Sequence, residues 1–173
     1  MFNVLKIGSQ APEFDLAGCE AGEMKTWKKS DFKGKWLVFF FYPSDFTFVC
    51  PTEVVGFHKA LSEFTDRNTA IVGCSVDSPF VHKAWAESLG GIDYPLLSDV
   101  HHNTCIDYNV FIDEDAKALR GTFVIDPDGV LKWYQISDNA IGRSVEEVVR
   151  VIDALQSGKL CQVGWTKGTK ALN

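Results

Sequence analysis

The chain has 173 residues, 46% of them hydrophobic and 23% charged, with a formal net charge of −6 at pH 7. That balance suits one globular domain over residues 1–173, and the absence of a basic stripe excludes nucleic acid as the main partner. No run approaches the length of a membrane span, and Met1–Gly8 lacks the apolar stretch of a signal peptide. Five cysteines are too few and too irregularly spaced for a disulfide scaffold, which points to a reducing, cytoplasmic setting.

In chain order, Ala11–Leu16 reads as a short edge strand, where Pro12 is tolerable. Gly18–Lys35 reads as a polar, turn-rich entry, with Cys19 in a loop and without a role. Trp36–Phe41 is continuously apolar, as in a strand buried on both faces of a parallel sheet. A loop over 42–49 follows, and Cys50-Pro51 opens a helix with Val54, Phe57, Leu61 and Phe64 on one apolar stripe. Ala70–Val76 is a second core strand, with Cys74 as a small buried hydrophobe. Ser78-Pro79 caps the next helix, whose apolar face is Phe80, Val81, Ala84, Trp85 and Leu89 and whose end is Gly90-Gly91. Tyr94–Leu97 reads as a third strand, and 101–108 as a short helical or irregular segment. Thr122–Ile125 and Val130–Ile136 flank Asp126-Pro127-Asp128-Gly129, turn chemistry that predicts a β-hairpin. Ser144 and Glu147 form a capping box for a last helix with Val145, Val148, Val149, Ile152 and Leu155 inward and Gly158 as its stop. Residues 157–173 form a C-terminal tail carrying Cys161 and Trp165. This order predicts an α/β, thioredoxin-like fold: a mixed central β-sheet flanked by helices.

The helix at Cys50 starts just past the end of a central strand, where α/β folds place ligands. Unpaired N–H groups and the positive end of the helix dipole favour an anion there, and a thiolate is one. Thr47 brings a hydroxyl three residues earlier, and Glu53 a carboxylate in the first helical turn. A thioredoxin carries C-x-x-C in this slot, whereas here it reads Thr47-Phe48-Val49-Cys50. A local disulfide is therefore impossible, and the resolving thiol must come from elsewhere in the chain or from another molecule. His101, His102 and Cys105 fit no tight metal-ligand spacing, and no G-x-G-x-x-G follows a strand, so no metal, nucleotide or flavin cofactor is indicated.

The stretch Tyr42-Pro43-Ser44-Asp45-Phe46-Thr47-Phe48-Val49-Cys50-Pro51-Thr52-Glu53 resembles the active-site signature of the typical 2-Cys peroxiredoxins, in the group of the bacterial alkyl hydroperoxide reductase C subunit. Further matches are Ser75-Val76-Asp77-Ser78, Ala84-Trp85, Leu119–Pro127, Gly142-Arg143-Ser144, and Leu160-Cys161 with Trp165. They carry the resemblance from Gly8 to Trp165. It implies an antioxidant thiol peroxidase acting on hydrogen peroxide and organic hydroperoxides without a cofactor. Cys50 is implied to be the peroxidatic cysteine, which becomes a sulfenic acid. By the same resemblance, Thr47 hydrogen-bonds the peroxide, Pro43 shields the pocket, and Arg120 holds the thiolate and stabilises charge on the peroxide oxygens. Glu53 and Arg143 are implied to support Arg120.

Cys161 is implied to be the resolving cysteine, forming an intersubunit disulfide with Cys50 in a homodimer. A decameric ring and reduction by thioredoxin or a dedicated flavoprotein or adaptor are further implications. Gln162 stands where many members have proline, and there is neither a Tyr-Phe C-terminal arm nor a Gly-Gly-Leu-Gly insertion, which implies resistance to over-oxidation. A disulfide needs Cα atoms within about 7 Å, so unwinding after Cys50 and displacement of the tail are expected. Two other readings share the fold: a thiol–disulfide oxidoreductase, weakened by Thr47, and a redox-regulated holdase. For Arg120 the alternative is a surface ion pair with Asp113, Glu114 or Asp115.

Overall fold

A computed structural model describes residues 4–173; Met1–Asn3, the start of the segment read as lacking a signal peptide, lie outside the described residues. Nine strands, five α-helices and one short 3-10 helix (Lys29–Phe32) follow one another along the described chain. Seven strands form one sheet, in the spatial order β2 (Glu23–Lys28), β1 (Asp15–Glu20), β5 (Leu96–Ser98), β4 (Thr69–Ser75), β3 (Trp36–Phe41), β8 (Arg120–Ile125) and β9 (Leu131–Ser137), while β6 (Phe111–Ile112) and β7 (Lys117–Ala118) pair apart from it. Its centre is β3 (Trp36–Phe41), β4 (Thr69–Ser75) and β5 (Leu96–Ser98), which run parallel. β8 (Arg120–Ile125) joins β3 antiparallel and continues into β9 (Leu131–Ser137), while β1 (Asp15–Glu20) joins β5 antiparallel and carries β2 (Glu23–Lys28). The mixed sheet with flanking helices has the thioredoxin-like layout that the element order predicts.

The apolar run of β3 supplies both halves of the core. Val38 and Phe40 point to the layer built by α1 (Cys50–Lys59), α2 (Leu61–Thr65), α3 (Pro79–Ser88) and α5 (Val145–Ser157), beside Phe57, Trp85 and Ile152. Leu37, Phe39 and Phe41 point to the opposite layer, with Cys74, Tyr108 and Phe123 under α4 (Asn103–Asp107). A strand covered on both faces has no polar side to show, which is why its sequence does not alternate. The one-helix reading from Cys50 to Phe64 needs correcting, because Ala60 (φ −93°, ψ 7°) interrupts it and starts α2 as a second piece. Phe57 and Phe64 stay buried across that break.

The entry segment departs further from the sequence reading. Ala11–Phe14 is not a strand; Ala11 and Phe14 pack into the core as irregular chain, and the strand begins at Asp15. Gly18–Lys35 hides a hairpin, with Ala21 (φ 49°) and Gly22 (φ 82°) at its tip, the positive pair a type I′ turn requires. Cys19 therefore sits in β1 and is buried. In α3 the apolar face is rotated: Phe80 is exposed, and His82, Trp85 and Ala86 point inward. Ser144 caps α5 through Glu147 N–H, but the Glu147 carboxylate turns to Arg150, so only half of the predicted capping box forms. Among the described residues no helix is long and apolar enough to cross a membrane.

Candidate active site

The end of β3 delivers the chain into the loop 42–49, and α1 starts at Cys50 with Pro51 in its first turn. Cys50 is fully buried. Its sulfur lies 3.3 Å from Nη1 of Arg120, the first residue of β8, in the strand next to β3. The same nitrogen donates to Glu53 Oε2 at 2.7 Å, so one N–H-bearing group serves both the sulfur and the carboxylate. Nε and Nη2 of Arg120 both donate to the Asn139 carbonyl, at 3.0 and 2.9 Å, which fixes the plane of the guanidinium. Arg120 is only 5% exposed, so the surface-pair alternative with Asp113–Asp115 does not describe it.

Glu53 binds two arginines at once. Its Oε1 accepts from Arg143 Nε at 2.9 Å and from the Arg143 backbone N–H at 3.1 Å. Arg143 also donates to Phe41 O, Gly121 O and Thr122 Oγ1, tying the ends of β3 and β8 to the loop before α5. Burial pulls the Arg143 guanidinium down from its ordinary range, and Glu53 opposes that pull. Two guanidinium groups, one carboxylate and the N-terminus of α1 leave the surroundings of Cys50 net positive, and a buried site of that sign suits a sulfur anion.

Pro43 is buried at the root of the loop. Thr47 is half-buried, and its hydroxyl proton goes to the Ser44 carbonyl at 2.8 Å. A hydroxyl has one proton, so in this arrangement Thr47 can offer a substrate only its acceptor side. Cys161 lies beyond α5, partly exposed, with its sulfur 3.5 Å from Ser157 Oγ and 3.6 Å from Lys159 O. The structure thus gathers Cys50, Arg120, Glu53 and Arg143 into one network, while Cys161 keeps contacts of its own.

Sequence reasoning missed the cluster under the loop. Tyr42 donates to Asp45 Oδ1 at 2.8 Å, and Asp45 Oδ2 lies 2.7 Å from His82 Nδ1. His82 Nε2 faces the Leu97 carbonyl at 2.9 Å, which can only accept, so that nitrogen carries a hydrogen. Asp77 adds bonds to the Asp45 N–H and the Ser44 hydroxyl. Burial pushes the Asp45 carboxyl up, against the hydrogen bond from His82. The available signal was His82 three residues before Trp85, on an inward helical spacing that a polar residue joins only when its nitrogens find partners.

A family model described as the AhpC/TSA family matches residues 7–134. The chain is 43% identical to a Dictyostelium discoideum protein named peroxiredoxin-4, over 97% of this chain and 69% of that one. It is also 43% identical to a Drosophila melanogaster protein named thioredoxin-dependent peroxide reductase, mitochondrial, over 93% of this chain and 73% of that one. Across the matched peroxiredoxin-4 proteins the chain spans 65–69% of their length. The reduced 2-Cys peroxiredoxin of Plasmodium vivax superposes with a TM-score of 0.90 at 38% identity, covering 95% of this chain and 91% of that one.

Proposed function

The chain belongs to the AhpC/TSA family, and from that membership and the site we propose that it is a thiol-dependent peroxidase that reduces hydrogen peroxide and organic hydroperoxides. The observation that carries the proposal is the Arg120 Nη1 bridge, 3.3 Å from Cys50 Sγ and 2.7 Å from Glu53 Oε2. The Cys50 thiolate attacks the terminal oxygen of the hydroperoxide; an S–O bond forms, the O–O bond breaks, and the alkoxide or hydroxide leaves and takes a proton. Donors already aimed at the developing charge lower that barrier, and Arg120 cannot lose its own charge. Thr47 Oγ1 accepts a hydrogen bond from the hydroperoxide O–H, Pro43 walls the pocket, and Glu53 with Arg143 keeps Arg120 in plane.

In the resolving step the Cys161 thiolate of a second copy attacks the Cys50 sulfenic acid. The S–S bond forms, the S–O bond breaks, and hydroxide leaves and is protonated to water. Two edges of the sheet are open, and they differ. β2 carries Glu23, Lys25 and Lys28, charges that discourage strand pairing, whereas β9 carries one charge, Lys132, beside Trp133, Tyr134 and Gln135. A two-fold homodimer through β9 follows, and the exposed rings of Phe46, Phe48 and Phe80 near the site suit further association into a decameric ring. The name of the Drosophila relative supports a thioredoxin as reductant. Five free thiols support a reducing compartment such as the cytoplasm.

The test is the intact mass of fully reduced protein after one equivalent of hydrogen peroxide without reductant, followed by peptide mapping. A covalent dimer through Cys50 and Cys161 is the expected product. An untouched Cys50 refutes the peroxidase, and a monomer oxidised only at Cys50 removes Cys161 from the cycle.

A further inference from the structure

β9 ends at Ser137, and the loop 138–143 carries the chain to Ser144, the cap of α5. Both ends of that loop reach the network around Cys50. At its far end Arg143 donates to Glu53 through its backbone N–H and through Nε. At its near end the Asn139 carbonyl accepts from Nε and Nη2 of Arg120, at 3.0 and 2.9 Å. A guanidinium is rigid and planar, so a grip on the Nε–Nη2 edge also fixes where Nη1 points. Nη1 is the nitrogen that reaches Cys50 Sγ at 3.3 Å and Glu53 Oε2 at 2.7 Å. The aim of the donor at the sulfur thus depends on the aim of one main-chain carbonyl.

The Asn139 side chain does not prop that carbonyl, because its Oδ1 is buried and finds no partner. The peptide unit between Asn139 and Ala140 is held from its other side instead. Ala140 N–H donates to Asp138 Oδ1 at 2.7 Å, and Ile141 N–H to Asp138 O at 3.1 Å, which closes a turn over 138–141. A carboxylate that bonds the backbone two residues on makes an Asx turn. In a planar trans peptide the C=O and the N–H point in opposite directions. With the Ala140 N–H drawn back onto Asp138, the Asn139 C=O faces away from that carboxylate, and there it meets Arg120.

We infer that Asp138 is a positioning residue for Arg120: its carboxylate orients the 139–140 peptide, and that peptide sets the guanidinium plane from which Nη1 serves Cys50. The inference rests on the peroxidase reading proposed above. Asp138 is exposed and acts through the peptide. Without its bond to the Ala140 N–H, the peptide is free to rotate, the fork at Nε and Nη2 loses its fixed acceptor, and Nη1 spends less time on the sulfur. A residue that only closed a surface turn would change the melting temperature and leave Arg120 and the attack on peroxide alone. A residue that acted by its charge would not be replaced by an amide.

The test compares reduced, full-length wild type with Asp138→Ala and Asp138→Asn. Nitrogen NMR follows exchange of the Arg120 Nε–H with water, its signal being the one that Arg120→Lys lacks. Stopped-flow mixing with substoichiometric hydrogen peroxide follows the attack by Cys50, and thermal melts check that each variant is folded at the assay temperature. For Asp138→Ala we expect Nε–H exchange faster by about threefold or more. Attack on peroxide slows by roughly three- to tenfold, a fraction of the 10²–10³ that follows outright loss of an oxyanion donor. Asp138→Asn keeps a carbonyl acceptor for the Ala140 N–H without the charge, and stays within about twofold of wild type in both readings. An Asp138→Ala protein equal to wild type in either reading overturns the inference. So does an Asp138→Asn protein as slow as Asp138→Ala, because charge and not the orientation of the peptide would then act. If wild type itself leaves peroxide untouched, the peroxidase reading fails, and the Nε–H exchange alone decides the role of Asp138.

Discussion

Arg120→Lys separates charge from geometry at the site. Lysine keeps the positive charge, but it offers one ammonium where the guanidinium offers a planar fork. Arg120 makes three commitments that no single ammonium can share: Cys50 Sγ and Glu53 through Nη1, and the Asn139 carbonyl through Nε and Nη2. An ammonium drawn to Glu53 leaves the sulfur or the Asn139 carbonyl without a donor. Losing one preorganised donor to a developing oxyanion costs about 10²–10³ in rate, or about 2.7–4 kcal/mol of barrier. The unpaired carbonyl costs about 1–3 kcal/mol of stability, which lowers the melting temperature by about 2–12 °C in a chain of this size. Stopped-flow mixing of reduced enzyme with substoichiometric hydrogen peroxide measures the first step alone. A folded Arg120→Lys protein within threefold of wild type would refute the argument, because charge alone would then suffice.

Two further outcomes follow from the same geometry. Glu53→Gln replaces the buried carboxylate between Arg120 and Arg143 by an amide whose NH₂ faces a guanidinium. Breaking a buried charge network from one side costs about 3–5 kcal/mol, and calorimetry that found less than 1 kcal/mol would show the arginines neutralised by other means. The tail should also respond to acid, because the Trp165 carbonyl accepts from Arg150 Nη1 at 3.2 Å while Nε and Nη2 of Arg150 grip Glu147. The Arg150 hydrogen bonds hold the Glu147 carboxyl below its ordinary range, so its contribution is fully present above the unfolded value of about 4.3 and fades as pH falls through the lower folded value. Trp165 fluorescence should therefore be flat from pH 7 to 5 and change only at more acid pH; a transition centred near pH 6.5 would assign the tail to a histidine instead.

What was legible in the chain depended on whether one element alone encoded the signal. β3 shows itself because both of its faces are buried, so every residue from Leu37 to Phe41 is apolar. The β8–β9 hairpin shows itself through the turn at 126–129. β2 does not, because only Trp27 among its residues is buried and nothing alternates. The break at Ala60 was hidden for a related reason: Phe57 and Phe64 lie on one stripe whether or not the helix between them is continuous. At the site, Cys50 and Glu53 share one helical turn and could be read together. Their meeting with Arg120 and Arg143, 67 and 90 residues further on, came from a family resemblance, since no local pattern carries a contact across that separation. The Asp45–His82 contact spans 37 residues and had no such guide.

Burial does not single out Cys50. Cys50, Cys74 and Cys105 are all fully buried, and Cys19 nearly so. Burial is the main cause that pushes the Cys74, Cys105 and Cys19 thiols up, and at Cys105 the nearby Asp99 pushes the same way. A buried thiol without a guanidinium bonded to it is a small hydrophobe, and that is how these three pack. What sets Cys50 apart is the company at the end of β3, where two arginines are brought in by β8 and the loop after β9 and held by one glutamate from its own helix. Both arginines donate to Glu53, and Glu53 is placed because α1 starts three residues before it. The sulfur chemistry therefore depends on the register of α1: unwinding its first turn frees Cys50 to move and in the same motion removes the carboxylate that holds Arg120. On the proposed function, attack on peroxide would call for the wound helix, and attack by a second thiol on the oxidised sulfur for the unwound one.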